Sequence, residues 1–217
     1  MEIINLGHNN SVLNNYMAQI RDKKIQKDSM RFRTNMRRIG ALFAYEISKT
    51  FSYSEKQVQT PLGIAAVPTC DDKLVLATIL RAGLPIHEGM LSVFDNAESA
   101  FITTYRKYGA GKDFTVNTEY CNTPSLEGKI LLICDPMIAT GLSMIEAYHS
   151  LTGQGGEPLH THFVCPIVSA DSVDELKKSV PANCSLWMAA VDEELTGRAF
   201  VVPGLGDAGD LAYGAKL

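Results

Sequence analysis

The feature that most constrains the fold is a series of short apolar segments that begins after residue 73. Five of them have the length and composition of strands buried on both faces: Leu74–Leu80, Ala100–Thr104, Lys129–Cys134, His162–Val168 and Ser185–Ala190. Helical patterns such as Met144–Leu151 and Ser172–Lys178 lie between several of these segments. Strands that alternate with helices are joined by crossover connections, which produce a parallel sheet. The sequence therefore predicts an α/β fold with a mostly parallel sheet flanked by helices.

The remaining segments are expected to belong to the same domain, because no linker rich in Pro, Gly or Ser divides the chain. Residues 29–50 predict a helix, because apolar residues recur there at spacings of three and four. The apolar pattern breaks between residues 105 and 124, where we expect a hairpin that forms a flap. Residues 202–216 contain four glycines and are expected to be irregular. We predict a single domain over 1–217, with an N-terminal helical region (1–55), a core (73–190), a flap (105–124) and a C-terminal segment (191–217).

Composition and charge exclude several classes of protein. Hydrophobic residues make up 46% and charged residues 20%, which is enough for a substantial core. The net charge of −4 argues against a protein that binds nucleic acid through bulk positive charge. Five cysteines without a CxxC pair argue against a disulfide framework and a cysteine zinc site. No apolar run approaches the roughly 18 residues that span a bilayer, and no secretory signal is visible, so we expect a cytoplasmic location.

A basic cluster lies before and within the first predicted helix. It consists of Arg21, Lys23, Lys24, Lys27, Arg31, Arg33, Arg37 and Arg38. The simpler interpretation is a solvated helix face, which we favour. The alternative is a site for an effector nucleotide such as GTP.

The segment with the clearest chemical meaning is residues 129–147, which have the pattern of a buried strand, a tight loop and an amphipathic helix. This arrangement points backbone N–H groups and the positive end of a helix at an anion. Gly141 lets the backbone approach a phosphate closely, while Thr140 and Ser143 can donate hydrogen bonds from their hydroxyls. The alternative interpretation is that Thr140 or Ser143 only caps the helix.

Charged residues at the carboxyl ends of the predicted strands are the other candidates. Asp135 ends one strand at the sheet edge where α/β proteins place functional side chains. Arg81 ends another, and its planar guanidinium suits a diphosphate. Arg106 follows a third strand at the same edge. The alternatives are that Asp135 only forms a turn, that Arg81 pairs with a local carboxylate such as Glu88, and that Arg106 is a solvated flap residue.

His160 and His162 place two imidazoles on one face of a predicted strand. No third ligand lies near them in the sequence, so a surface pair is favoured over a metal site.

Taken together, the motifs resemble the uracil phosphoribosyltransferase family. DPMIATG at 135–141, ILRAGL at 79–84, YR at 105–106 and VPGLGDAGD at 202–210 match that family's motifs in order and spacing, and RDKK at 21–24 matches its N-terminal pattern. The resemblance covers nearly the whole chain. It implies a type I phosphoribosyltransferase fold. It also implies transfer of the phosphoribosyl group of 5-phosphoribosyl 1-diphosphate to uracil, which gives UMP and diphosphate and uses Mg²⁺.

The resemblance also implies roles for individual residues. Arg81 and Arg106 would hold the diphosphate and, with Asp207, form the catalytic set. The donor would also contact Asp207 and a loop that consists of Asp135, Pro136, Met137, Ile138, Ala139, Thr140, Gly141, Leu142 and Ser143. Uracil would bind in the C-terminal segment, at Val201, Gly206, Asp207 and Ala208. Mg²⁺ would be held mainly through the diphosphate, with Asp207 as the one protein group expected to reach it.

Two other functions are compatible with these motifs. One is a phosphoribosyltransferase for another base, and the other is a non-catalytic regulator of the same fold that binds nucleotides and RNA. Pro85, Leu142 and Leu211 stand where the family has two glycines and a basic residue. The negative net charge and the intact charged residues of the motifs favour the enzyme. The expected partners are the two small substrates and, by resemblance, further copies of the chain in a homodimer or larger assembly, with neither membrane nor nucleic acid.

Overall fold

The computed structural model describes residues 1–108, 114–197 and 199–216, and it describes no side chains over 105–108 and 114–116. In chain order the elements are β1 (Glu2–Asn5), α1 (Val12–Arg21), α2 (Ser29–Ser48), β2 (Tyr53–Thr60), β3 (Gly63–Cys70), β4 (Leu74–Ile79), α3 (Leu84–Leu91), β5 (Glu98–Tyr108), β6 (Phe114–Asn122), β7 (Ile130–Cys134), β8 (Met137–Ile138), α4 (Leu142–Gly155), β9 (His160–Val164), β10 (Ile167–Ser169), α5 (Ala170–Ser179), β11 (Cys184–Met188), β12 (Ala190–Asp192), β13 (Glu194–Leu195), β14 (Val201–Val202) and α6 (Ala208–Tyr213). None of these helices, within the residues described, is long and apolar enough to cross a membrane.

The centre of the molecule is a seven-stranded sheet in the order β1-β11-β9-β7-β4-β5-β6. All neighbouring strands are parallel except β5 and β6, which pair in antiparallel fashion at one edge. Every residue of β7 is buried, as in parallel sheets covered by helices on both faces. The predicted fold class, a mostly parallel α/β sheet flanked by helices, is confirmed.

One predicted strand, His162–Val168, is wrong in its extent. The chain leaves the central sheet after β9 and continues as β10, which pairs with β8 and β12 in a separate three-stranded sheet. Pro166 lies at the break and has no N–H for a ladder hydrogen bond. Its carbonyl accepts hydrogen bonds from the backbone of Ala189 and Ala190, so it binds the neighbouring strand end instead.

The N-terminal region contributes a strand as well as helices. β1 pairs with β11 at the edge of the central sheet, and α2 packs its apolar face against the core on one side of that sheet. Helices α2 and α3 touch backbone to backbone. A Cβ on Gly40 would lie 2.3 Å from the carbonyl oxygen of Ile86, and a Cβ on Gly89 would lie 2.0 Å from that of Arg37. Glycine at both positions therefore permits the close approach that brings α3 over β4.

A hairpin formed by β2 and β3 extends from the body of the protein, and the sequence patterns did not predict it. Its strands pair over eight positions, from Tyr53 and Cys70 to Thr60 and Gly63. Most of its residues are exposed on both faces, and Leu62 near its tip is fully exposed. The strands have no buried face, and their polar and apolar residues do not alternate regularly, so the sequence has no clear strand pattern here.

The expectation that residues 202–216 are irregular is wrong. Helix α6 occupies the middle of this segment, and Asp207 caps it by accepting a hydrogen bond from the backbone N–H of Asp210 at 2.9 Å. Three of the four glycines lie outside the helix, where their φ angles are positive, and only Gly209 lies within it. The glycines therefore mark the turns around a short helix, rather than the absence of one.

Candidate active site

A cleft of about 900 Å³ opens where β4 and β7 end. It is lined by residues 79–82 at the end of β4, residues 135–137 and Ala139 after β7 and residues 206–209 at the start of α6, together with Thr104, Ser143, Ala199, Phe200 and Lys216. These segments are far apart in the sequence. They meet because parallel strands end at the same edge of the sheet, where α/β proteins bind their ligands.

A smaller recess of about 130 Å³ lies beside the cleft, at the N-terminus of α4. It is lined by Asp135, Met137, Ile138, Ala139, Thr140, Gly141, Ser143 and Met144. Gly141 caps the helix with a φ of +83°, a left-handed conformation that glycine adopts readily. The N-terminus of a helix carries a partial positive charge and unpaired N–H groups, so the recess has the electrostatics of an anion site.

Two serines at the start of α5, which the sequence analysis missed, lie against the loop around this recess. The hydroxyl of Ser169 donates to the carbonyl oxygen of Ala139. The hydroxyl of Ser172 donates to the carbonyl oxygen of Ser169 at 2.8 Å and lies 3.4 Å from that of Ile138. Both serines are buried. The carbonyl oxygen of Ala139 is thus bound on the side of α5, which favours an anion in the recess. The signal was visible to some extent, because Ser169 and Ser172 have the spacing of a helix cap.

Asp135 lies between the recess and the main cleft, which it also lines. Its backbone N–H donates to the carbonyl oxygen of Val164 at 3.1 Å, so the residue continues the hydrogen bonding between β7 and β9. Burial raises the pKa of the Asp135 carboxyl to about 8. The side chain can therefore exchange a proton near neutral pH, and as a carboxylate it can accept hydrogen bonds from a ligand's hydroxyls.

The guanidinium of Arg81 is held at the cleft by the C-terminal segment. It lies 3.2 Å from Oδ1 of Asp210 and donates to the carbonyl oxygen of Gly214 at 3.3 Å. The predicted alternative, a pair with Glu88, is wrong, because Glu88 pairs with Arg37. The side chain of Arg81 is 40% exposed, and the residue lines the cleft. Asp210, which the sequence analysis did not single out, thus fixes the position of this arginine.

The other predicted residues are divided between the cleft and its surroundings. Gly206, Asp207 and Ala208 line the cleft, and Asp207 lies 3.8 Å from the ammonium group of Lys216. Val201 is buried in β14 and does not line the cleft, and Leu142 lines neither cavity. Arg106 belongs to β5 by its backbone, but its side chain lies outside the described residues, as do residues 109–113 of the predicted flap.

The two histidines have a different environment from the predicted surface pair. His162 is buried, and its Nδ1 accepts a hydrogen bond from Nε1 of Trp187 at 3.0 Å. Burial lowers the pKa of His162 to about 3. His160 bonds to the hydroxyl of Ser185 at 2.9 Å. The prediction is wrong for His162 because β9 lies inside the sheet, between β7 and β11. The residues described contain no group of three or more His, Cys, Asp or Glu side chains arranged to hold a metal ion.

The basic cluster is more than a solvated helix face. Three of its arginines bond to other elements, namely Arg21 to Asp192, Arg33 to Ala212 and Arg37 to Glu88, while Arg38 bonds to Asn35 within α2 itself. The interpretation as a solvated face is wrong for Arg21 and Arg33, which are partly buried and bind the C-terminal part of the chain, whereas Arg37 and Arg38 are exposed.

The three residues that depart from the family pattern fit the local structure. Pro85 lies in the first turn of α3, where its missing N–H would have no helical partner. Leu142 is the first residue of α4, and Leu211 packs partly buried against the core from α6. Each is therefore compatible with the elements that form the site.

A mostly parallel sheet with an antiparallel edge pair, and a loop that leads into a helix at its carboxyl edge, are features of the class of type I phosphoribosyltransferase folds. The family model described as uracil phosphoribosyltransferase matches residues 8–215. This chain therefore belongs to the uracil phosphoribosyltransferase family, and it is a transferase enzyme.

Individual relatives agree with this assignment. The uracil phosphoribosyltransferase of Porphyromonas gingivalis is 48% identical over 217 residues, which is 100% of both chains. That of Methanothermobacter thermautotrophicus is 38% identical over 207 residues, covering 94% of this chain and 93% of the relative. The solved structure of the AQ2163 protein from Aquifex aeolicus superposes with a TM-score of 0.87 at 28% identity, covering 99% of each chain.

Proposed function

We propose that this chain transfers the phosphoribosyl group of 5-phosphoribosyl 1-diphosphate to uracil, giving UMP and diphosphate, a pyrimidine salvage reaction. The observation that carries the proposal is the cleft that joins the anion recess, Asp135, Arg81 and the C-terminal strip 206–208. An enzyme for this reaction needs three adjoining sites, for a phosphate, a diphosphate and a base. The family supplies the choice of base, since its relatives carry the name of the uracil enzyme.

The 5-phosphate of the donor binds in the recess at the start of α4. Backbone N–H groups of residues 137–143 and the hydroxyls of Thr140 and Ser143 are the available donors there. The ribose then lies beside Asp135, whose carboxylate accepts hydrogen bonds from the sugar hydroxyls. Pro136 to Ala139 and Leu142 complete the loop around the donor.

The diphosphate lies in the main cleft, within reach of Arg81, and Arg106 is the second cation assigned to it. As the bond from the ribose anomeric carbon to the diphosphate breaks, negative charge grows on the leaving group and positive charge on the sugar. Fixed guanidinium groups lower the barrier because they stabilise that charge where it develops. Catalysis is thus electrostatic, with no covalent enzyme intermediate.

The residues present fit Mg²⁺, which prefers carboxylate and phosphate oxygens. Asp207 lines the cleft, and its Oδ1 is used by the cap of α6. Its Oδ2 would hold the ion together with the diphosphate. Bound there, Mg²⁺ would neutralise some of the diphosphate charge.

Uracil binds at the C-terminal strip formed by Val201, Gly206, Asp207 and Ala208. Its edge presents two carbonyl acceptors on either side of one N–H donor, a pattern that main-chain N–H and C=O groups can match. N1 of uracil forms a bond to the anomeric carbon as the bond to the diphosphate breaks, and the N1 proton leaves to water or with the diphosphate. Asp207 is the one carboxylate of the strip 201–208, but its Oδ1 is used by the cap of α6 and its Oδ2 is assigned to Mg²⁺, so we assign no dedicated protein base. Val201 contributes through its backbone, since its side chain is buried.

We infer that the protein works as a homodimer or larger assembly, in which the β2–β3 hairpin contacts a second copy. Val58, Leu62, Ile64 and Val67 are exposed apolar residues on this hairpin. A two-stranded ribbon is barely stable alone in water, so a partner surface would stabilise it. The five cysteines, all described and all free, are compatible with a cytoplasmic location, which we also propose.

The direct test of this function is product formation by the purified chain. Uracil, the donor and Mg²⁺ should yield one UMP and one diphosphate per uracil consumed, with RNA binding measured in parallel. The variant Arg81→Ala should lose most of this turnover. Turnover only with another base would assign the enzyme to that base. No turnover with any base, together with tight RNA binding, would favour a regulator.

A further inference from the structure

The last residue of α1, Arg21, forms a buried ion pair with the last residue of β12, Asp192. Its two terminal nitrogens donate to the two carboxylate oxygens at 2.8 and 3.0 Å. Asp192 is 6% exposed, so the pair is largely removed from water. Two parallel hydrogen bonds between a guanidinium and a carboxylate fix both distance and orientation. A lysine ammonium cannot reproduce this arrangement.

The same pair also binds the backbone of the C-terminal segment. The carbonyl oxygen of Gly204 accepts a hydrogen bond from Arg21 at 3.2 Å, and its N–H donates to Asp192 at 2.9 Å. Gly204 has a φ of +51°, and a Cβ there would lie 2.2 Å from the carbonyl oxygen of Val201. Both polar groups of this tight turn are therefore held by one ion pair. The turn lies between Val201 and Gly206, two members of the proposed uracil strip.

The side chain of Gln26 binds the end of α1 and lies near this strip. The side-chain amide of Gln26 donates to the carbonyl oxygens of Ile20 and Arg21 at 3.2 and 3.1 Å. Its Oε1 lies 4.0 Å from the place where a Cβ on Gly206 would be. Gln26 thus binds the end of α1 beside the strip, and the hydrogen bonds to the strip itself are those at Gly204.

We propose that Arg21 and Asp192 are positioning residues that determine the selectivity of the site for uracil. This inference rests on the proposed function, in which main-chain groups of the strip recognise the base. Recognition by main chain depends on how rigidly that chain is held, because no side chain can adjust to the ligand. Arg21 and Asp192 line neither the recess nor the cleft, so they act on the base through Gly204.

The test is a comparison of steady-state constants for Arg21→Lys and Asp192→Asn. Arg21→Lys keeps the positive charge but removes the two parallel hydrogen bonds of the guanidinium. Asp192→Asn removes the negative charge, and its amide oxygen can still accept the hydrogen bond from the N–H of Gly204. We expect the KM for uracil to rise about tenfold or more and the preference for uracil over cytosine to fall, since small misplacements at a site have effects of this size. The KM for the donor should stay within about twofold.

The matched control is Arg37→Lys, which alters a second arginine–carboxylate pair that joins α2 to α3 away from the strip. It should leave both KM values unchanged. The inference is overturned if the uracil and donor KM values rise together, or if uracil KM and base preference keep their original values. Should Arg21→Lys fail to fold, Asp192→Asn decides the outcome alone. Failure of the proposed function is distinct, since the unaltered chain would then form no UMP.

Discussion

At the scale of single residues, position in the fold gives ordinary side chains unusual properties. Asp135 is a carboxyl group at the end of a fully buried strand, and its pKa is raised to about 8 because burial disfavours the charged form. Arg81 is nearby in the cleft, but its charge is shared with Asp210. In the proposed complex the donor would bring its ribose hydroxyls to Asp135 and its diphosphate to Arg81. Each residue would then gain a partner that it lacks in the free protein.

The raised pKa of Asp135 predicts how the stability of the free protein changes with pH. Its pKa is about 3.9 in an unfolded chain and about 8 in the folded one, so the folded state binds more protons between these values. The free energy of unfolding should therefore fall as pH rises from about 4 to 8, by at most about 1.4 kcal/mol per pH unit from this group. Urea unfolding at several pH values measures this dependence.

The variant Asp135→Asn should lose that contribution to the pH dependence, since an amide does not titrate. Asp171→Asn, which changes an exposed carboxyl in the first turn of α5, is the control and should keep the original slope. Equal slopes for the unaltered chain and Asp135→Asn would show that burial does not hold a proton on this residue.

At the scale of elements, contiguous patterns were predictable and contacts between distant segments were not. Apolar runs predict the strands β4, β5, β7 and β11. The loop around the recess before α4 was also predicted, because it lies in one continuous strand–loop–helix segment. The strand β1 and the β2–β3 hairpin were missed because short or two-sided exposed strands have no apolar run. Helix α6 was missed because it is only six residues long and the glycines in and around it predict an irregular segment. The pair of Arg21 with Asp192 spans 171 positions, and no local pattern indicates it.

Phosphate binding by the loop before α4 is tested best by removing the side-chain hydroxyls of Thr140 and Ser143. Thr140→Val and Ser143→Ala should each weaken donor binding by about ten- to a hundredfold, because a hydrogen bond to a charged group contributes about 1.5–3 kcal/mol. Gly141 is less suitable, since its positive φ would strain any other residue. Titration calorimetry with the donor gives the affinities.

The control on the same helix is Thr152→Val, whose hydroxyl donates to the carbonyl oxygen of Tyr148, away from the recess. It should bind the donor as the unaltered chain does. If Thr140→Val and Ser143→Ala behave like this control, the recess is not the phosphate site.

At the scale of the whole molecule, the sheet and its helices form one body from which the β2–β3 hairpin extends. Because the hairpin's apolar side chains are exposed, changing them should affect assembly and not the core. Ile64→Glu should shift the protein from a dimer or larger assembly toward the monomer with little change in melting temperature, as sedimentation velocity would show. Leu159→Glu alters a similarly exposed residue outside the hairpin and should leave assembly unchanged. Monomers in the unaltered chain, or intact assemblies in Ile64→Glu, would contradict the role of the hairpin.

We propose that uracil, the acceptor of the phosphoribosyl group in this cleft, is recognised by the main chain of the C-terminal strip. Cytosine replaces one acceptor of uracil with an amino donor and turns N3 into an acceptor, so two groups of the strip would lose their partners. Sites that hydrogen-bond a substrate reject such analogues by about 10⁴-fold or more. The most direct measurement is kcat/KM for uracil and for cytosine with the same donor and Mg²⁺. We predict a ratio of about 10⁴ or more in favour of uracil. A ratio near one would contradict recognition of uracil by the main chain of the C-terminal strip.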